Sequence, residues 1–279
     1  MALRIFTDSS CDIDLSRQEE LDLTILPLRV IFGDTCYVEG ENLTKEQFYA
    51  MLEQAEELPK TAQYTPMEFE DLFRPLVEAG DEILVLPISK EMSGTYQAAL
   101  LAREAFPDAP IYVVDTLNVT FALGLLVMEA LALRDQGLDA AGIYDAVTAL
   151  VPRVRLYAVI GDLKYLKMGG RLSSAGAVVG TLLGIKPLIA IEDGKVISIA
   201  KARGQKAGFQ MIRERVEADG IDFGHIVAYG HSNARPMLEE LMETMKGCAD
   251  TERLFIGDIG PVVGTHAGPG CAGIAFIKK

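Results

Sequence analysis

The sequence predicts an α/β fold: an N-terminal doubly wound parallel-sheet domain, residues 1–155, packed on a C-terminal α+β domain with a mixed sheet, residues 156–279. Three observations carry that reading. Short β-rich runs alternate with helical patterns through the first half; the pattern changes after about Pro152; and Asp193-Gly194 sits between two apolar runs as a hairpin signal.

The expected strands of the first half are LRIFT at 3–7, TILPLRVIF at 24–32, EILVLPI at 82–88 and IYVVD at 111–115. Helices lie between them. Thr44 with Gln47 reads as a capping box before FYAMLEQAEE, and Thr65, Pro66 and Glu68 supply an N-cap, a first-turn proline and a capping-box partner, with Gly80 as the stop. In the second half, LYAVIGD is followed by the Gly-rich KMGGRLSSAGAVVGTLLGIKP and then by PLIAIEDGKVISIAKAR, which holds the hairpin. Helical patterns at 205–218 and 233–246 and strands near 225–229, 253–257 and 272–277 complete the chain. No Pro-, Gly- or Ser-rich linker separates the halves, so they are expected to pack closely around a cleft.

Composition narrows the function. The 279 residues are 49% hydrophobic and 24% charged, the proportions of an ordinary globular protein. Lys and Arg number 26 against 40 Asp and Glu, a net charge of −14, which disfavours nucleic acid and anionic membrane surfaces as partners. The longest uncharged apolar stretch, Val119 to Met128, stops at Glu129, short of the roughly 20 residues of a membrane span. The N-terminus offers no secretory h-region, so a cytoplasmic location is expected. Cys11, Cys36, Cys248 and Cys271 are scattered and the only histidines are His225, His231 and His266, so neither a metal site nor a redox dithiol is expected.

Ligands of open parallel sheets sit beyond the carboxyl ends of the strands. Three first-half strands end in small polar groups: Thr7-Asp8-Ser9-Ser10, Ser89 to Thr95 (with Ser93 and Gly94), and Asp115-Thr116. Gathered on one rim they suit a phosphate or carboxylate; taken singly, each is equally a helix cap. His266 stands in Gly264-Thr265-His266-Ala267-Gly268-Pro269-Gly270, read as a Gly-rich loop that lets backbone approach a ligand with imidazole at its edge. His231, in Tyr229 to Asn233, fits a cap as well as a site. Gly169-Gly170-Arg171 places a guanidinium beside paired glycines, suited to an anion or a protein contact. The apolar small-residue run after it reads either as close helix packing or as a tunnel wall.

Together these residues resemble the DegV family, whose best-understood members are bacterial fatty-acid carriers of the FakB type that present lipid to a partner fatty-acid kinase. The likeness runs through TDSSCDI at 7–13, TAQYTP at 61–66, ISKEMSGTYQAA at 88–99, VVDT at 113–116, LKYLKMGGRLS at 163–173, GIKPLI at 184–189, KARGQKA at 201–207 and GTHAGPG at 264–270. The resemblance implies two α/β domains enclosing a long apolar tunnel, a long-chain fatty acid as ligand, and no cofactor or catalytic residue of the chain's own. ATP and metal would belong to the kinase, which converts the carboxylate to an acyl phosphate. Thr61, Ser93 and His266 match the carboxylate ligands; Arg171 and Arg203 match residues linked to the kinase encounter or phosphoryl transfer; Ser9, Ser10, Gly94, Thr95, Asp115 and Thr116 form the additional rim. The chain departs from the family at Thr61-Ala62-Gln63-Tyr64, where Thr-Ser-Gln-Pro is usual, and at Asp115-Thr116, where Asp-Ser is usual. The first change removes a hydroxyl and a proline and is expected to put a bulky phenol near the head group. The alternative function is an enzyme, a Ser/His-dependent hydrolase or phosphotransferase acting on a small acidic substrate, with Ser93 as nucleophile and His266 as base.

Overall fold

The computed structural model describes residues 2–173 and 184–279, so most of the small-residue run, 174–183, lies outside the described residues. The chain opens with β1 (Leu3–Asp8), a one-turn α1 (Gln18–Leu21) and β2 (Leu23–Leu26), which pairs parallel with β1. The single strand expected over TILPLRVIF is two strands in two sheets. Pro27 has no amide hydrogen to give a ladder, so pairing stops at Leu26 and resumes at β3 (Arg29–Phe32). This strand runs antiparallel to β4 (Thr35–Val38) and β5 (Lys60–Ala62) in a small sheet that sequence reading did not foresee.

Between β4 and β5 lies α2 (Lys45–Gln54), and α3 (Pro66–Glu78) follows β5; both start with the reciprocal capping boxes read from Thr44–Gln47 and Thr65–Glu68. The chain then returns as β6 (Glu82–Leu86), α4 (Thr95–Arg103) and β7 (Ile111–Val113), completing a four-stranded parallel sheet of order β2-β1-β6-β7.

The apolar run Val119–Met128 forms most of α5 (Thr120–Asp135), which is buried on nearly every face. A helix apolar all round must be enclosed, and this one touches β1 and β6 of the parallel sheet as well as the strands of the second large sheet. Glu129, which interrupts the run, is buried too, its carboxylate accepting from the Ile226 N–H at 2.7 Å and facing His225 Nδ1 at 3.2 Å. Among the described residues no helix is long and apolar enough to cross a membrane.

After α6 (Ala140–Leu150) come β8 (Val154–Val159), α7 (Lys164–Met168) and the hairpin β9 (Ile185–Glu192) and β10 (Lys195–Arg203). Asp193 and Gly194 both have positive φ, 47° and 78°, the turn whose twist matches that of the flanking strands. Then follow α8 (Gln205–Asp219), β11 (Val227–Ser232), α9 (Arg235–Met245), β12 (Leu254–Asp258), α10 (Pro261–Ala267) and β13 (Cys271–Ile277). The six strands order as β10-β9-β8-β13-β11-β12, antiparallel except for β11 and β12, the mixed sheet that was expected. Phe121, in the first turn of α5, seats its ring on Gly230 and Gly273 and its Cβ on Gly257, on three neighbouring strands where an added Cβ would crowd it. That notch pins α5 to the six-stranded sheet.

Candidate functional site

A cavity of about 920 Å³, its open mouth included, lies between the start of α5, the inner face of the six-stranded sheet and α10. Eighteen of its 24 lining residues are apolar, including Phe121, Leu156, Ile189 and Val262. The polar ones are Thr61, Gln63, Ser93, Thr120, Arg171 and His266. Thr120 is already spent, because its hydroxyl donates to the buried Asp12 carboxyl. The other five converge.

Thr61, on β5, places Oγ1 3.2 Å from His266 Nε2, joining residues 205 apart in sequence. His266 is not in a loop as expected. It stands in the last turn of α10, which starts at Pro261, a residue preset for the first helical turn. Burial, reinforced by the Arg171 charge, pushes the imidazole down to about 4, so it is neutral at pH 7. Its Nδ1 is buried against Gly169, where any Cβ would run into it, and has no partner among the described residues. A bare lone pair is tolerated there better than a bare N–H, which puts the proton on Nε2, facing Thr61 and the cavity. Thr61 Oγ1 then accepts from the ring and keeps its own O–H to donate inward.

Arg171 is held from both sides: Nη1 donates to the Gly169 carbonyl at 2.7 Å and Nε to that of Met92 at 3.3 Å. Ser93 shares a hydroxyl contact of 2.9 Å with Thr95 at the start of α4. Gln63 accepts from the Gly94 N–H at 2.8 Å and so ties the end of β5 to the Ser93 turn. Gln63 was missed as a site residue; its place in TAQYTP was the only signal. Gln63 and Arg171 are exposed, so this polar end of the cavity reaches solvent.

The rest of the rim is near the cavity but does not line it. The carboxyl ends of β1, β6 and β7 do lie side by side, yet their hydroxyls are engaged elsewhere. Ser10 donates to Asp8, Ser9 Oγ accepts from the Leu28 N–H at 3.1 Å, and Thr116 donates to the Pro87 carbonyl at 2.7 Å. Asp115 pairs with Lys90 at 2.9 Å and faces a different cleft. Gly94 and Thr95 hold Gln63 and Ser93 rather than the cavity wall. Arg203 is exposed at the end of β10, away from the lining residues. His231 sits beside Asp258 at 3.3 Å and accepts from the Ala234 N–H just ahead of α9, whose N-terminus has no side-chain cap. Tyr64 does not intrude: its ring packs on Phe69, 5.7 Å between centroids, beneath the Arg29 guanidinium.

The Ser93–His266 dyad of the enzyme reading is not assembled. Ser93 bonds to Thr95, His266 to Thr61, and among the described residues no carboxylate orients the ring. An imidazole held near 4 is also a weak base at neutral pH. Among the described residues no cluster of His, Cys, Asp and Glu could hold a metal ion.

Comparison with known proteins gives a consistent picture. The family model described as "Uncharacterised protein, DegV family" matches residues 2–279. The chain is 32% identical to a DegV domain-containing protein of Caldanaerobacter subterraneus subsp. tengcongensis over 99% of both. A fatty-acid-binding DegV family protein of Streptococcus agalactiae superposes with a TM-score of 0.88 at 31% identity, covering 100% of this chain and 99% of that one. A stearic-acid-binding protein of Eubacterium ventriosum superposes at 0.85 with 29% identity and the same coverage. By sequence along its whole length and by fold, the chain belongs to the DegV family.

Proposed function

We propose that this protein binds a long-chain fatty acid in the apolar cavity, with the carboxylate at Thr61, Ser93 and His266, and presents it to a partner kinase for phosphorylation to an acyl phosphate. One observation carries the reading: a cavity with eighteen apolar lining residues gathers its polar groups, Thr120 apart, in one cluster that reaches solvent. The fatty acids bound by structural relatives support it.

The tail supplies affinity. Each buried methylene contributes roughly 0.8 kcal/mol, so a chain of about 14 gives on the order of 11 kcal/mol before ordering costs. The head group must be compensated, since a carboxylate taken from water without partners costs several kcal/mol. The O–H groups of Thr61 and Ser93 donate to it, and the His266 N–H supports Thr61 from behind. The polar cluster thus selects for an acid and fixes its orientation. In the kinase complex a carboxylate oxygen attacks the γ-phosphorus of ATP and ADP leaves, with nucleotide and metal supplied by the kinase. Arg171, already held beside Ser93 by the Met92 carbonyl, and the exposed Arg203 serve the kinase encounter or the transferred phosphoryl group.

Organic extraction of the purified protein and mass spectrometry of the extract test the reading, with native mass spectrometry giving stoichiometry. One fatty acid per chain is expected. A chain that yields no lipid and takes up none from an offered panel would remove the basis of the proposal.

A further inference from the structure

A second cleft, about 1240 Å³, lies behind the first cavity, between the β7–α5 connection, the end of α6 and strands β8 and β9. Ile191 lines both spaces. Leu156 and Ala158 on β8 and Ile160 just past its end line the cavity in turn. Ile160 marks the polar end, because Gly161 next to it packs on the carbonyls of Pro269 and Gly270, directly after the helix that carries His266. Leu156 is about 13 Å further along the strand at about 3.3 Å per residue. The pairing of Tyr157 with Ala190 sets Leu156 beside Ile191. The same boundary recurs on the facing segment, where Val119 and Thr120 line the cavity while Leu117 and Asn118 line the cleft. Beyond Ile191 the cleft continues over apolar Leu117, Val151 and Val154 before its charged rim of Asp115, Arg155 and Glu192.

We infer that Ile191 is the partition that limits acyl-chain length, and that the apolar floor of the cleft behind it is an annex which a chain terminus enters once the partition is shortened. The inference rests on the fatty-acid reading above. Ile191→Ala removes three carbons from the only side chain shared by the two spaces among their described lining residues. Ile189→Ala, on the same strand and face, removes the same three carbons from the cavity wall alone. The pair separates a longer path from a merely larger volume.

The experiment loads full-length wild type, Ile191→Ala and Ile189→Ala with an equimolar panel of saturated acids from myristic to behenic and reads occupancy by native mass spectrometry. Ile191→Ala is expected to shift occupancy toward longer acids by roughly four-fold for each methylene that becomes buried, with the Ile189→Ala profile keeping the wild-type length. Identical profiles in all three, or the same lengthening in both variants, overturn the partition. If Ile191→Ala fails to fold, Ile191→Val must give a smaller shift in the same direction, and no shift overturns the inference. Wild type that takes up no acid sinks the fatty-acid reading itself, a failure distinct from an unchanged length profile in loaded protein.

Discussion

Replacing His266 with Gln in lipid-free protein should flatten the dependence of stability on pH below neutrality. Burial pushes the folded imidazole down to about 4, whereas an unfolded histidine titrates near about 6.5. Between those values the unfolded chain accepts a proton that the folded chain refuses. The contribution is therefore present in full above about 6.5 and drains away as the pH falls toward 4. At 1.36 kcal/mol per pH unit, going from pH 7 to pH 5 removes about 2 kcal/mol. Two other buried groups act with the opposite sign. Burial pushes Asp12 up to about 8 and Glu39 up to about 7, so they hold protons in the folded chain and lose stability as the pH rises. The measurement is therefore a double difference: urea midpoints of wild type and His266→Gln at pH 7 and pH 5, in which the carboxyl contributions cancel. Wild type should lose about 2 kcal/mol more than the variant. Equal losses would mean that water reaches the imidazole and that the neutral-donor account of the head-group site is wrong. Saturating fatty acid should shrink the wild-type slope, because a carboxylate beside the ring raises its pKa.

Asp12→Ala should cost about 3 kcal/mol in urea denaturation, because the buried Gly260 N–H and Thr120 hydroxyl both lose their acceptor, and Asp12→Asn should cost less. Gly230→Ala should lower stability by about 1–3 kcal/mol, read as a drop in Tm, since the new methyl group meets the Phe121 ring on a rigid strand. Thr61→Ala should leave Tm nearly unchanged and weaken fatty-acid retention by about 1 kcal/mol in competitive loading, the value of one hydrogen bond.

Local chemistry was the legible part of the fold. Capping boxes at Thr44 and Thr65 and the Asp193-Gly194 turn depend on residues within four positions of one another, and each appears where its spacing places it. Pro27 was equally local and was passed over: reading 24–32 as one apolar run hid a proline that cannot join a central ladder, and with it the small sheet that carries Thr61. The His266 segment misled for a related reason. Its glycines suggested a loop, while Pro261 at the first turn and the enclosure of Gly264 against Phe48 and Tyr49 allow a seven-residue helix that would not stand alone. At the site, residue types were readable but directions were not. Tyr64 directly follows Gln63 beyond the end of β5, yet the phenol packs on Phe69 while the amide accepts from the Gly94 N–H, and nothing in residue type sets those directions.

Which residues form the apolar wall was not legible, because Leu156, Ile189, Val196, Val119, Phe121 and Val262 come from separate strands and helices and each reads in sequence as ordinary core. Its construction nonetheless has an energetic consequence. Thr61 and Ser93 come from the first half of the chain, Arg171 and His266 from the second, so an acid bound as proposed would draw on donors from both at once. Any ligand that does so favours the folded arrangement over every state in which the halves separate, by about 2.7 kcal/mol when it is present at a hundred times its Kd. On the proposed function, the lipid-free protein is expected to be the one whose halves are held together least, and the 3.2 Å Thr61–His266 contact is one direct hydrogen bond between them.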